Sequence, residues 1–151
     1  MTENTDNTVA PDAALDALIA PRCRAALRRL VEETGGCEVF SVGTVGPGGA
    51  VDELDPLAFG NWDAVPAPAQ DARAGQVLIH NHPGADLTPS DADISVASMY
   101  GKSGVGFYII DNACTRVRVV VKPFVEKRLV PVDTARLLPV VRHLIGIPAG
   151  I

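Results

Sequence analysis

The segment from residue 76 to residue 93 constrains the fold more than any other part of the chain. It begins with an apolar run, Val77-Leu78-Ile79, that has the composition of a buried strand. Pro83-Gly84 ends this strand, and Thr88-Pro89-Ser90 is a helix-start signal. A strand, a short loop and a helix are therefore predicted in succession, with polar residues gathered where the strand ends and the helix begins.

Two histidines occupy alternate positions at the end of the predicted strand. Residues two apart in an extended strand point to the same side, so His80 and His82 present both imidazoles to one point in space. Asp93 falls in the first turn of the helix that follows. Two imidazoles and one carboxylate form a three-ligand set for Zn²⁺ with the fourth tetrahedral position open, as in catalytic rather than structural zinc sites. We therefore predict one Zn²⁺ per chain.

The same residues also have an interpretation that involves no metal. Ser90-x-x-Asp93 is a capping box, with Ser90 as the N-cap and Asp93 at the third helical position. Two histidines one residue apart occur by chance in many proteins. The two interpretations are compatible, because Ser90 can cap the helix while Asp93 turns to a metal. The complete string favours the metal site, since it holds two of the three histidines of the chain.

The string His80-x-His82-Pro83-(x)6-Ser90-x-x-Asp93 resembles the signature of the JAMM zinc metalloprotease domain, also called JAB or MPN-plus. The form His-Asn-His-Pro followed by Thr-Pro-Ser-Asp-Ala-Asp is most similar to the bacterial branch that includes RadC-like proteins. The stretch from Gly104 to Asn112 also resembles part of the JAMM domain at the amino terminus of some DinG-like helicases. The resemblance spans residues 20 to 125 approximately and implies a cytidine-deaminase-like sandwich.

Hydrolysis at such a site also requires a group that accepts and delivers a proton. Glu38 precedes an apolar strand, where a carboxylate is costly unless it has a role. The resemblance also implies a Glu at the start of the strand that follows the first helix, so we predict Glu38 as the general base. Ser90 is predicted to donate a hydrogen bond to the developing oxyanion, a contribution of about 3 kcal/mol by analogy with other oxyanion donors. The acidic residues also considered as the base are Glu32, Glu33, Asp52, Glu53, Asp63 and Asp71.

The resemblance implies a zinc-dependent peptidase or isopeptidase that acts on a peptide or a protein tail, which in eukaryotic relatives belongs to a ubiquitin-like modifier. Two alternatives remain open. The chain could be a non-catalytic accessory domain fused to or associated with a DNA-repair protein or DNA helicase, although a purely structural metal site needs neither Glu38 nor Ser90. Metal-dependent nuclease action is disfavoured by the net charge of −5, because domains that bind nucleic acid are usually basic.

Composition places the chain among ordinary globular domains. Its 151 residues, 47% hydrophobic and 21% charged, suffice for one domain with a buried core. The three cysteines form no Cys-x-x-Cys motif, which predicts neither a disulfide framework nor a thiolate zinc site. No signal-peptide pattern and no apolar run of membrane-spanning length are present, so we expect a cytoplasmic location without membrane or direct nucleic-acid contact.

The pattern along the chain predicts an α/β fold with a mixed β-sheet flanked by helices. We expect a flexible tail over residues 1–10, the JAMM catalytic domain over 11–125, and a C-terminal helical extension over 126–151 that could lead into a further domain. Predicted helices cover residues 12–19, 21–34, 90–100 and 131–145, and predicted strands cover 37–45, 50–54, 76–80, 105–110 and 115–121.

The segment from residue 55 to residue 75 is rich in proline and glycine and predicts a loop with at most a short helix. Because a long loop beside a catalytic strand is often functional, we expect part of it to line the substrate groove, with Asn61 and Trp62 nearest the metal. The alternative is that Trp62, the only tryptophan, is a packing anchor.

Overall fold

The computed structural model describes residues 8–9, 12–59, 71–84 and 86–125. In this part of the chain, one six-stranded mixed sheet is combined with three helices, which confirms the predicted α/β class. The strands are β1 (Thr8–Val9), β2 (Val39–Val45), β3 (Val51–Phe59), β4 (Gln76–His82), β5 (Gly106–Asp111) and β6 (Val117–Val121), and the helices are α1 (Asp12–Asp16), α2 (Pro21–Glu33) and α3 (Asp91–Gly101).

The sheet places β4 in its interior. The strand order is β1-β6-β5-β4-β2-β3, in which β4 runs parallel to β5 and antiparallel to β2. All other neighbouring pairs are antiparallel. A parallel pair needs a crossover connection, and α3 supplies it between β4 and β5. The carboxyl end of β4 therefore lies beside the amino end of α3.

Two hydrophobic clusters lie on opposite faces of the sheet because successive strand residues point to opposite sides. Val77 and Ile79 of β4 belong to the cluster that includes Leu27 of α2. Leu78 belongs to the other cluster, which includes Val96 of α3. Full burial of a side chain of this size contributes about 2 kcal/mol to stability. The alternation directs His80 and His82 to the α3 face and Asn81 to the α2 face.

The end of α2 determines where β2 begins. Thr34 is the C-cap, and Gly35 and Gly36 follow with φ of +69° and +86°, a region that residues with a Cβ rarely adopt. The Gly36 N–H donates to the Val31 carbonyl at 2.8 Å, which closes the end of the helix. The chain thus turns sharply into the sheet, and Glu38 comes immediately before the first residue of β2.

Three arginines of α2 make intramolecular contacts. Arg22 donates to the backbone carbonyl of Asp52 at 2.7 and 3.0 Å, and Arg28 donates to the carbonyl of Ala113 at 3.0 Å. Arg24 pairs with Asp16 of α1. These contacts attach α2 to the first helix, to β3 and to the turn after β5.

Several element boundaries differ from the predicted ones. The first helix ends at Asp16 rather than Ile19, because Ile19 instead forms a bridge with Val51. Strand β3 continues to Phe59, although Pro56 was expected to end it in a loop. Proline is accommodated here because β3 is at the edge of the sheet and the β2–β3 register shifts at Phe40/Ser41.

Residues at the two termini are described only in part. Thr8 and Val9, within the segment expected to be a flexible tail, pair with β6 at Arg118 and Val117. The predicted C-terminal extension over residues 126–151, with its helix, lies outside the described residues, as do Asn61 and Trp62. Among the residues described, no helix has both the length and the apolar character needed to cross a membrane.

All three cysteines are free. Cys23 and Cys114 are buried, and burial raises the pKa of both thiols, that of Cys114 to about 12. Neither thiol therefore ionises near neutral pH. Cys37 is exposed and adjoins Glu38.

Candidate metal centre

The two histidines are two of the last three residues of β4. The strand extends through His82 because Asn81 and His82 continue the parallel register with Ile110 and Asp111 of β5. The predicted strand ended at His80, so the structure adds two residues to it. His80 is buried at 1% exposure, and His82 is partly exposed at the rim of the site.

Asp93 reaches the histidines from the first turn of α3. Ser90 is the N-cap of this helix, and the capping box is complete: the Asp93 N–H donates to Ser90 Oγ at 3.2 Å and the Ser90 N–H donates to Asp93 Oδ2 at 2.7 Å. The Ser90 hydroxyl also donates to Asp93 Oδ2, at 2.8 Å. The predicted cap is thus confirmed, and it holds the Asp93 carboxylate at 1% exposure against β4.

The three side chains converge closely enough to hold one metal ion. One potential ligand atom from each of His80, His82 and Asp93 lies within 4.8 Å of the others. His80 Nε2 is 3.5 Å from Asp93 Oδ1, and His82 Nε2 is 3.3 Å from Asp93 Oδ2. Ligands bound to one tetrahedral zinc at about 2.0–2.1 Å lie roughly 3.3 Å apart, and the 3.5 Å between His80 Nε2 and Asp93 Oδ1 is close to that value.

The Asp93 carboxylate provides a further test of fit. Ser90 occupies Oδ2 with two hydrogen bonds, whereas no group among the described residues donates a hydrogen bond to the buried Oδ1. A buried carboxylate oxygen without a donor is costly unless a cation lies beside it. Oδ1 is therefore the oxygen that suits a metal ligand, and the residues present fit a divalent cation.

Neighbouring groups orient both imidazoles. The Asp86 carbonyl lies 3.0 Å from His82 Nδ1, and because a carbonyl can only accept, Nδ1 carries the proton. Nε2 of His82 is then left as the nitrogen that can bind a metal. The ring of His80 stacks on Phe40, its antiparallel partner in β2, with centroids 4.9 Å apart and an interplanar angle of 21°.

His80 is held in the neutral form. Burial is the largest influence and lowers the pKa of His80 to about 4, with the Asp93 carboxylate opposing this shift and His82 adding to it. The imidazole is therefore uncharged at neutral pH, which is the form that binds metals.

The convergent side chains form the floor of an open cleft of about 340 Å³. Glu38 lines this cleft from the segment before β2, and Ser90 lines it from the helix start. Glu38 lies on the same side of the sheet as the histidines, since Phe40, two residues on, stacks on His80. The remaining lining residues are Pro83, Gly84, Asp86 and Thr88, all from the loop between β4 and α3.

The structure therefore brings together five of the seven site residues expected from the sequence: His80, His82, Asp93, Glu38 and Ser90. Asn61 and Trp62 lie outside the described residues. Sequence reasoning missed the roles of Phe40 and the Asp86 carbonyl in orienting the imidazoles. The sequence does contain a signal for the turn at Asp86, because Asp86-x-Thr88 is an Asx-turn pattern. In the structure the Thr88 N–H donates to Asp86 Oδ1 at 2.8 Å.

Comparison of the chain with models of known protein families and with curated proteins finds no match.

Proposed function

We propose that the chain is a zinc-dependent peptidase or isopeptidase of the JAMM type, from the RadC-like branch, with the deaminase-like sandwich of that family. One observation carries this proposal. The buried group of two imidazoles and one carboxylate lies at the floor of an open cleft that a further carboxylate, Glu38, also lines. A metal held only for structural reasons requires neither an open cleft nor a spare acid.

When bound, Zn²⁺ would act as a Lewis acid that polarises a carbonyl and makes water a better nucleophile at neutral pH. Glu38 accepts a proton from the attacking water and delivers it to the leaving amine. His80, His82 and Asp93 Oδ1 would hold the metal. The partly exposed position of Glu38 gives its carboxylate access to both water and substrate.

Ser90 serves the reaction as a donor to the carbonyl oxygen of the substrate. Its hydroxyl donates to Asp93 Oδ2, so it must rotate when substrate binds. Asp93 stays anchored during this rotation because the Ser90 N–H keeps its own bond to Oδ2 at 2.7 Å. The anchoring of Asp93 Oδ2 and the stabilisation of the oxyanion therefore use different donors of Ser90, its backbone N–H and its hydroxyl.

The proposed substrate is an extended protein tail or peptide, including a tail joined to lysine through an isopeptide bond as in ubiquitin-like modifiers. The cleft opens to solvent, which gives a chain access to the metal. Association with a DNA helicase is part of the same proposal, since DinG-like helicases carry a similar domain.

Glu38→Gln tests the assignment of the base. The amide keeps the size of the side chain but cannot accept the proton, so turnover should fall by 100-fold or more, roughly the contribution of general base catalysis, with zinc content and melting temperature unchanged. Hydrolysis is measured on a panel of fluorogenic peptides and isopeptide-linked conjugates, with and without a chelator. Glu33→Gln makes the same chemical change at an exposed carboxylate of α2 and should leave turnover intact.

Three outcomes would count against the proposal. Near-normal turnover in Glu38→Gln would assign the base to another acid. Hydrolysis that survives complete removal of zinc would exclude the metal from the reaction. Absence of peptide hydrolysis in a zinc-loaded chain, accompanied by cleavage of a phosphodiester substrate, would replace the peptidase with a nuclease.

A further inference from the structure

The Glu38 carboxylate needs a fixed position, yet it lies outside regular secondary structure. The hydrogen-bonded ladder between β2 and β4 ends at the pair Phe40 and His80. Continuing that register would pair Val39 with Asn81 and Glu38 with His82, but no such backbone pairs form. Something other than the ladder must hold the backbone around Glu38 next to β4.

The side chain of Asn81 provides that connection. Asn81 Oδ1 accepts from the Val39 N–H at 2.6 Å, and Asn81 Nδ2 donates to the Cys37 carbonyl at 3.2 Å. These two backbone groups belong to the residues immediately before and after Glu38. Asn81 is 1% exposed, so water does not compete for the bonds. The amide orientation is fixed by its partners, because a backbone N–H only donates and a carbonyl only accepts.

A second asparagine holds the first one in place. Asn81 Nδ2 also donates to Asn112 Oδ1 at 2.7 Å, and Asn112 Nδ2 donates to the Gly36 carbonyl at 3.2 Å. Asn112 follows β5, so the two amides connect the ends of β4 and β5 to the backbone from Gly36 to Val39. We call this network of Asn81 and Asn112 the amide clamp.

We propose that the amide clamp is a positioning device that fixes Glu38 relative to the metal ligands. The inference rests on the proposed function only in giving Glu38 a catalytic role. Asn81 alternates with His80 and His82 along β4 and so leaves the strand on the opposite face, towards α2. It can therefore control the position of Glu38 without touching metal or substrate. Strand β4 thus presents two of the three candidate ligands, His80 and His82, on one face and the residue that supports the base on the other.

A double-mutant cycle on turnover tests the clamp. Asn81→Ala should lower kcat by about 10- to 100-fold, since misplacing a reacting group by about 1 Å costs on that order, with KM and zinc content nearly unchanged. In the Glu38→Gln background the same change should cause no further loss, because its effect passes through Glu38. A loss that multiplies with that of Glu38→Gln would overturn the proposal.

Two further variants distinguish a loss of Glu38 positioning from a general loss of stability. Ile79→Val removes a methylene on the same face of β4, within the core, and should lower stability by about 1 kcal/mol without lowering kcat. Asn112→Ser leaves both bonds between Asn81 and the backbone and should give a smaller loss of kcat in the same direction. If Asn81→Ala does not fold, the cycle is completed with Asn112→Ser.

A measurement without substrate or metal keeps the clamp testable if the chain hydrolyses nothing. The backbone NMR order parameter at Glu38 should be near 0.85 in the parent and Ile79→Val proteins and below about 0.6 in Asn81→Ala. Unchanged order at Glu38 would refute the clamp whatever the activity. An inactive parent protein with a rigid Glu38 that Asn81→Ala mobilises would refute the peptidase and retain the clamp.

Discussion

Asp93 can serve both in helix capping and as a metal ligand because its two carboxylate oxygens face different partners. Oδ2 receives the backbone N–H and the hydroxyl of Ser90, while Oδ1 faces Nε2 of His80 at 3.5 Å. The positive end of the α3 dipole also favours a carboxylate at this position. A residue that helix capping alone would place here is therefore already oriented as a metal ligand, and the cap need not open for a metal to bind.

Replacing any one of the three ligands should abolish stoichiometric metal binding. His80→Ala, His82→Ala and Asp93→Ala each leave two donors, too few for a stable site. Elemental analysis of the purified proteins after dialysis should show about one zinc per chain in the parent and little in these variants.

Asp86→Ala is the matched control for metal content. The Asp86 carboxylate accepts a hydrogen bond from the Thr88 N–H, and the substitution retains the backbone carbonyl that orients His82. This variant should retain its zinc. Full retention in all three ligand variants would contradict the site.

At the scale of elements, the succession of β4, loop and α3 is predictable from the sequence. The hydrogen bonds of Asn81 that connect β4 to the backbone around Glu38 are not. The apolar run, Pro83-Gly84 and Ser90 are local signals, and they locate both the strand and the helix start to within two residues. The contacts of Asn81 with Cys37, Val39 and Asn112 join residues 31 to 44 positions apart, and no local pattern encodes them.

The length of β3 was underestimated for a different reason. Pro56 is a breaker signal in sequence, but it lies on an edge strand, where a missing N–H is tolerated. Only the position of the strand in the sheet decides whether a proline ends the strand or is tolerated within it. Glu38 is assigned as the base from its position before an apolar strand together with the resemblance, and Ser90 by analogy with other oxyanion donors. Both assignments stay predictions.

Replacing the N-cap residue Ser90 should lower both the stability of the folded chain and the rate of hydrolysis. Ser90→Ala deletes one acceptor for the Asp93 N–H and one donor to Oδ2, so the free energy of unfolding should fall by about 1 kcal/mol in urea titrations. Zinc affinity should fall less than in the ligand variants, and turnover should fall as well.

Ser95→Ala provides the comparison within the same helix. Ser95 Oγ donates to the Asp91 carbonyl at 2.9 Å from an exposed position, and its loss should change stability by no more than about 0.5 kcal/mol. Equal destabilisation by the two substitutions would show that the capping box adds nothing specific.

At the scale of the whole molecule, the candidate site joins parts of the chain that fold on different sides of the sheet. The candidate metal ligands lie on the face of the sheet that packs against α3, and the amide clamp lies on the face that packs against α2. A metal bound by β4 and α3 therefore stabilises the crossover connection between β4 and β5, the sheet's parallel pair among the described strands.

Zinc should accordingly raise the melting temperature. A ligand that binds only the folded state stabilises it by about 2.7 kcal/mol when its free concentration is 100 times the dissociation constant. Calorimetry with zinc and then with excess chelator should show a reversible shift that His82→Ala lacks. An identical melting temperature under both conditions would contradict metal binding by the folded chain.

The outer edge of β3 affects how readily two copies of the chain would associate. Val51 at the start of β3 bridges to Ile19, and beyond this residue none of the described strands pairs with the outer side of β3, so this edge is a template for strand addition. The strand carries Glu53 and Asp55 at exposed positions and Pro56 beside them. Two copies meeting edge to edge would bring like charges together and would lack a donor at the proline. We expect the negative charge along this edge to oppose edge-to-edge association of two copies of the chain.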